Sequence, residues 1–268
     1  MQAMRIHELG PVGAEVESLR PDSIAVPEPG RGEVLIRVHA CGVCHTELDE
    51  IEGRTAPPIL PMTPGHQVVG TVVAEGPACT LELLGQRVGV AWIHSACGEC
   101  EWCRKGSENL CPRFRATGRD AHGGYAEYMT MPEAFVHPLP VEIGDLEATP
   151  VLCAGAVGFR SLDLCGLKNG QQLGLTGFGA SGHLVLQMAR HLYPDSPVSV
   201  FARSRKVQLF ALELGAAWAG NTTDAPDAPL DAIIDTTPAW LPVLAAMEAL
   251  SPGGRLVINA IRKEAGDR

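Results

Sequence analysis

The chain has 268 residues, enough for one large domain or two ordinary ones. With 46% hydrophobic and 19% charged residues, its composition excludes a disordered chain. Its net charge of −10 argues against binding nucleic acid or an anionic membrane through bulk charge. No apolar run approaches the roughly 20 residues of a spanning helix, and no secretory signal is visible. We therefore expect a cytoplasmic protein whose cysteines are reduced.

The first part of the chain, residues 1–150, has the pattern of a β-rich domain. The predicted strands are Glu33–Ala40, Val68–Ala74, Arg87–Trp92 and Tyr125–Met131. In the first of them, Val34, Ile36 and Val38 share one face, which is typical of a half-buried strand. Irregularly spaced Pro and Gly residues between the strands indicate a partly barrel-like domain with long loops.

A CxxCH motif, Cys41 to His45, follows the first strand and has three interpretations. Attachment of a c-type haem requires export, and a redox CxxC pair normally stands at a helix start in a thioredoxin-like unit. In the third interpretation, one cysteine binds a catalytic zinc together with distant residues and a water molecule. His66 and Cys153 are the candidate partners. Taken alone, each is more typical of an ordinary core or surface residue.

A second cysteine cluster comprises Cys97, Cys100, Cys103 and Cys111. Four thiolates within fifteen residues can surround one tetrahedral zinc ion, and such a closed site is structural. The alternatives are two disulfides or four free thiols. The other cysteines lack partner spacing and are interpreted as packing residues: Cys41, Cys79 and Cys165.

After about residue 153, strands and helices alternate, which predicts a parallel, doubly wound sheet. The predicted strands are Gln172–Thr176, Val198–Phe201, Ala216–Ala219, Asp231–Asp235 and Gly254–Asn259. One predicted helix follows the first strand and has an inward face of Leu184, Val185, Met188, Ala189 and Leu192. The next spans Arg205–Leu214, with Val207, Phe210, Ala211 and Leu214 inward, and the last lies around Leu241–Leu250. Since nine residues follow Asn259, we expect that the final helix and strand of a six-stranded fold are missing.

A glycine-rich turn, Gly177-x-Gly179-x-x-Gly182, stands between the first of these strands and its helix. This context is typical of a dinucleotide site, where the glycines admit a pyrophosphate at the helix N-terminus. Gly177, Gly179, Ser181 and Gly182 are the predicted contacts. The alternative is an ordinary βα turn.

The end of the second strand bears on the choice of coenzyme. It carries Arg203 and Arg205 where an acidic residue would bond the ribose of NAD. Two arginines suit a 2′-phosphate, so NADP(H) is favoured over NAD(H). Alternatively, both arginines are solvated on the first turn of the next helix.

With these motifs, the chain resembles the zinc-dependent medium-chain alcohol dehydrogenases over essentially its whole length. The segments Gly42–Glu47, Gly65–Gln67 and Leu152–Gly155 resemble the three catalytic-zinc segments, and Cys97–Cys111 resembles the structural zinc lobe. The resemblance implies an α/β protein with a GroES-like catalytic domain over residues 1–152. It also implies a Rossmann domain over residues 153–268, incomplete at the C-terminus, with the active site in the cleft between the domains.

The resemblance also implies two zinc ions per chain, one of them catalytic and held by Cys44, His66 and Cys153. The implied reaction transfers a hydride between a primary or aromatic alcohol or aldehyde and NAD(P). Thr46 would take the alcohol proton, and His45 would lie near the pyrophosphate.

Other residues have less specific implied roles. Glu47 would orient the ligand His66 without binding the zinc itself. Trp92 and Ile93 would either line the substrate pocket or pack at a strand end.

Three departures from the family pattern stand out. Asp49 occupies the place of a relay histidine, and Gln67 that of the usual glutamate. The family continues beyond Arg268, through a strand that commonly forms a dimer interface. We therefore expect a full-length protein to form a homo-oligomer. In this chain, the last predicted strand would be an exposed edge.

Two other functions stay open. One is a catalytically impaired, zinc-stabilised fragment, which the missing last strand motivates. The other is a zinc-independent quinone or enoyl reductase of the same superfamily, against which the joint presence of Cys44, His66 and Cys153 argues.

Overall fold

The computed structural model describes residues 1–13, 17–260 and 262–264. The chain packs as two compact units, Met1–Cys153 and Ala154–Arg268. No helix in the described ranges combines the length and the apolar character needed to cross a membrane.

The first unit is built mainly from short antiparallel strands. Its strands are β1 (Gln2–Ile6), β2 (Leu19–Ser23), β3 (Glu33–Cys41), β4 (Val68–Glu75), β5 (Arg87–Val90), β6 (Ile93–Ser95), β7 (Arg115–Ala116), β8 (Tyr128–Pro132) and β9 (Val136–Pro138). Its α-helices are short: α1 (His45–Ile51), α2 (Glu101–Arg104) and α3 (Asp145–Pro150).

A five-stranded antiparallel sheet forms the centre of this unit, in the order β8-β3-β4-β5-β9. Along β3, Val34 and Ile36 are buried while Arg37 and His39 are exposed. The predicted alternation is therefore confirmed, because residues two apart share one face of a pleated strand. One cluster of buried side chains covers the inner face of the sheet: Val34, Ile36, Val68, Val72, Leu83, Val88, Val90, Met129, Met131 and Val136.

The second unit alternates helices with parallel strands. Its strands are β10 (Leu173–Thr176), β11 (Val198–Phe201), β12 (Trp218–Gly220), β13 (Leu230–Asp235) and β14 (Leu250–Ile258). Its helices are α4 (Ala156–Cys165), α5 (Ala180–Leu192), α6 (Arg205–Glu213) and α7 (Leu241–Ala249).

All five strands pair in parallel, in the order β12-β11-β10-β13-β14. From β10 the successive strands β11 and β12 extend the sheet to one side, whereas β13 and β14 extend it to the other. The carboxyl ends of β10 and β13 therefore flank a topological switch point. The predicted α/β fold, with a β-rich first part and a doubly wound parallel sheet, is confirmed.

Two predicted helix faces differ in part from the structure. In α5, Val185 and Ala189 are buried as predicted, and so is Leu186, which was not predicted. Leu192 is 46% exposed, since α5 ends at this residue. In α6, Phe210 is 43% exposed because its ring packs against Phe178, with the ring centroids 6.0 Å apart, rather than in the core.

Candidate metal centres and nucleotide-binding turn

The first candidate zinc ligand, Cys44, lies at the start of α1. It is the N-cap residue, with extended backbone, and its amide donates to Glu47 Oε2 at 2.7 Å. A carboxylate in the first helical turn satisfies an otherwise unpaired amide. The helix start thus fixes the direction of the Cys44 side chain.

His66 is presented by the glycine that precedes it. Gly65 has a positive φ of 99°, and a Cβ there would lie 2.5 Å from Tyr125 Cδ1, so no larger residue fits. The His66 side chain is buried, with Nδ1 2.6 Å from Glu47 Oε1. Its other nitrogen, Nε2, lies 3.2 Å from Cys153 Sγ. Glu47 therefore bridges the helix start and the imidazole.

Cys153 lies in a π-helical turn, Val151–Gly155, that follows α3. Such wide turns are rare and are frequent at functional sites. Cys153 Sγ is 3.8 Å from Cys44 Sγ, and the donor atoms of Cys44, His66 and Cys153 all lie within 4.8 Å of one another. Two sulfurs and one imidazole nitrogen are a ligand set that zinc prefers, with a fourth position left for water or substrate.

Contacts among the three donors shift their pKa values in different directions. Hydrogen bonding from Cys153, and then from His66, lowers the pKa of the Cys44 thiol to about 3, although burial opposes this. The pKa of Cys153 is raised by its bond to Cys44 and by burial. Burial lowers the pKa of His66, but its contacts with Cys44 and Glu47 outweigh this and raise the pKa to about 9. A metal ion bound to these three donors would replace their protons, because zinc binds thiolates and neutral imidazole.

The aromatic ring of Trp92 packs against His66, one of the three donors. The Trp92 ring meets His66 edge-on, with centroids 5.0 Å apart and planes at 79°. The Arg119 guanidinium lies 5.6 Å from the centroid of the Trp92 ring, a cation–π contact. Trp92 therefore contacts a predicted ligand directly, whereas Ile93 is a half-buried residue at the start of β6.

The other residues predicted around this site occupy separate places on α1. Thr46 is buried, with Oγ1 3.6 Å from Cys44 Sγ, whereas His45 is exposed as the first helical residue. Asp49 is buried and forms an ion pair with Arg54. A carboxylate committed to arginine does not act as the histidine of a proton relay would.

The second cysteine cluster also converges. Its four sulfurs all lie within 4.8 Å of one another, and Cys103 Sγ is 3.5 Å from Cys100 Sγ and 3.8 Å from Cys97 Sγ. These distances are far longer than a disulfide bond of roughly 2 Å, and all nine cysteines are free. Backbone amides donate to the sulfurs of Cys97 and Cys111 at 3.3–3.4 Å, which favours thiolates. The geometry favours a metal site over disulfides.

The glycine-rich turn follows β10, at the switch point of the parallel sheet. Gly177 has a φ of 79°, and a Cβ there would lie 2.7 Å from Thr236 Oγ1. A Cβ on Gly182 would lie 2.7 Å from the Gly177 carbonyl, so the turn and helix touch closely. At Gly179 a Cβ would meet nothing within 4 Å, which leaves space for a phosphate beside the backbone. Ser181 lies in the first turn of α5.

The two predicted arginines differ in their surroundings. Arg205 Nη1 lies 3.4 Å from Gln208 Oε1, at the start of α6. Arg203 is exposed just after β11 and has no side-chain hydrogen bond or ion pair within the described ranges. Its guanidinium is therefore available to an anionic ligand.

Sequence reasoning missed Glu50, which is fully buried on α1, one turn after Glu47. The i, i+3 spacing of the two carboxylates was the available signal, because residues three apart share one helix face. It also missed the contact of Arg119 with Trp92, which no local pattern indicates.

Comparisons with known proteins bear on both units. Residues 30–141 match the model of the alcohol dehydrogenase GroES-like domain. A probable alcohol dehydrogenase of Mycobacterium tuberculosis is 44% identical over 266 residues, which cover 97% of this chain and 76% of that protein.

Solved structures give the same relationship. A cinnamyl alcohol dehydrogenase of Sorghum bicolor superposes with a TM-score of 0.82 at 30% identity, covering 96% of this chain and 75% of the other. A candidate zinc-binding dehydrogenase of Sinorhizobium meliloti, solved with NADP bound, has a TM-score of 0.85 at 26% identity, covering 100% and 78%. The chain therefore belongs to the medium-chain alcohol dehydrogenases, a family of alcohol oxidoreductases.

Proposed function

We propose that this protein transfers a hydride between a primary or aromatic alcohol or aldehyde and NADP(H), with zinc held by Cys44, His66 and Cys153. The observation that carries the proposal is the convergence of these three donors from three separate segments, within 4.8 Å. A zinc ion there would lower the pKa of a bound alcohol as a Lewis acid. The named activity of the cinnamyl alcohol dehydrogenase relative supports an aromatic substrate.

The residues around the donors have roles that follow from their contacts. Glu47 holds His66 through Nδ1, which leaves Nε2 as the metal-binding nitrogen. Trp92 packs edge-on against His66 and would help to hold the imidazole in place. We assign the acceptance of the alcohol proton to Thr46 Oγ1, and its burial beside Cys44 Sγ supports this role.

We propose a second, structural zinc in the lobe of Cys97, Cys100, Cys103 and Cys111. Four sulfurs fill a tetrahedral zinc, so this site offers no position to a substrate. The nine free cysteines suit a reducing compartment, and we propose the cytoplasm.

We further propose that residues 1–152 and 153–268 are the catalytic and nucleotide-binding domains. The glycine turn at Gly177–Gly182 would take the pyrophosphate. Arg203 and Arg205 would take the 2′-phosphate. The NADP bound in the Sinorhizobium meliloti structure supports this choice of coenzyme.

Removal of zinc by a strong chelator is expected to lower NADP-linked oxidation of benzyl alcohol by about a hundredfold or more, because the Lewis acid supplies several kcal/mol. Added Zn²⁺ should restore the rate, and Mg²⁺ should not, since Mg²⁺ prefers oxygen ligands. Rates are measured from NADPH absorbance. An unchanged rate in the zinc-free chain would refute the proposal, and quinone reduction by that chain would favour the zinc-independent reductase.

A further inference from the structure

Glu50 carries a buried carboxyl group to which the proposed function assigns no role. It lies in α1, three residues after Glu47, and its side chain is completely buried. Residues three apart share a helix face, so both carboxyl groups lie on the buried side of the helix that begins at Cys44.

The two carboxyl groups differ in their partners. Glu47 accepts the Cys44 amide and lies 2.6 Å from His66 Nδ1. Neither carboxyl oxygen of Glu50 has a hydrogen-bond partner within the described ranges. A buried carboxylate without partners is strongly disfavoured, and native proteins rarely retain one without a role.

The charged groups around Glu50 act on its carboxyl group in opposite directions. Glu47 and Cys44 repel a negative charge at Glu50, whereas His66 and Arg119 attract one. Burial, and then Glu47, raise the pKa of Glu50 to about 8. Arg119 is bound to Asp120, with Nη2 2.7 Å from Oδ2, and it forms no hydrogen bond with Glu50. Neither His66 nor Arg119 hydrogen-bonds the Glu50 carboxyl, so a negative charge on Glu50 has no direct partner within the described ranges.

We propose that Glu50 is a positioning residue of the catalytic zinc centre, whose negative charge strengthens retention of the ion without ligating it. The inference rests on the proposed zinc site at Cys44, His66 and Cys153. Glu50 is not among the donors that converge within 4.8 Å, so it acts through the electrostatic field of the buried site. In a low-dielectric interior such a charge is effective beyond contact distance.

The test replaces Glu50 by Gln, which keeps the size of the side chain and removes its charge. Competition with a chromogenic chelator measures the affinity of the more weakly held zinc in the full chain. Glu50→Gln is expected to weaken it about tenfold to a hundredfold, the range typical of outer-shell changes. The matched control is Glu52→Gln, which makes the same change at a partly exposed residue two positions on and should leave affinity within about twofold.

A second measurement separates this role from a purely structural one. In the zinc-free chain, Glu50→Gln should melt at the same temperature as the unaltered protein or higher, because the Glu50 carboxyl has no hydrogen bond to lose. Glu50→Asp keeps the charge and should retain most of the zinc affinity.

Three results would overturn the inference. Equal zinc affinity of Glu50→Gln and the unaltered chain would refute it and leave the proposed function standing. A lower melting temperature of the zinc-free Glu50→Gln chain would assign a structural role instead. An unaltered chain that binds no zinc at Cys44, His66 and Cys153 would refute the proposed function itself.

Discussion

Replacement of Cys44 by Ser is expected to remove one zinc ion per chain and to lower alcohol oxidation by at least about a thousandfold. A serine hydroxyl is a far poorer zinc ligand than a thiolate. The helix start should survive, since the bond from residue 44 to Glu47 comes from the backbone amide. Metal analysis and steady-state kinetics of the purified variant measure the two effects.

The matched control is Cys41→Ser, at the other cysteine of the same motif. Cys41 is half-buried, and burial raises the pKa of its thiol to about 12. It lies outside the converging donors, so both zinc ions and the activity should be retained. Equal loss in both variants would favour a redox pair. Full activity of Cys44→Ser would contradict the zinc mechanism.

Replacement of Arg203 by Ala is expected to weaken NADP binding about tenfold to a hundredfold and to leave NAD binding unchanged. Hydrogen bonds to a charged group contribute about 1.5–3 kcal/mol, and about 1.4 kcal/mol is tenfold in affinity. Arg203 has no competing partner within the described ranges, so its guanidinium is available to a 2′-phosphate. Fluorescence titration with each coenzyme gives the two affinities.

Lys206→Ala is the control, because it removes one exposed positive charge from the same helix start. It should alter the affinity for NADP by no more than about twofold, since exposed charges are screened. Equal weakening of NAD and NADP by Arg203→Ala would assign the arginine to shared parts of the coenzymes. No weakening of either would mean that Arg203 is merely solvated.

The parts of the fold that local patterns control could be predicted from the sequence. Alternation of apolar residues in Glu33–Ala40 predicted a half-buried strand, and β3 has this form. Alternating strands and helices after residue 153 predicted the parallel sheet. The glycine-rich turn could be predicted because a backbone with positive φ, as at Gly177, strongly favours glycine.

The features set by tertiary packing could not be predicted. Phe210 fits a helical core face, but its ring contacts Phe178 instead. The π-helical turn around Cys153 has no local signal, and Pro150 there suggests only that a regular helix is interrupted. Glu50 looks like an ordinary surface glutamate, because its burial depends on what packs against α1. Cys44, His66 and Cys153 were joined through the family resemblance rather than through their spacing.

The most direct test of the central claim is the zinc content of the purified, monodisperse chain, measured by atomic emission against protein concentration. Two separate donor clusters predict two zinc ions per chain, one in each. One zinc that resists a chelator would mean that only the lobe of four cysteines binds metal, which would contradict the catalytic site proposed at Cys44, His66 and Cys153. No zinc at all would contradict both sites.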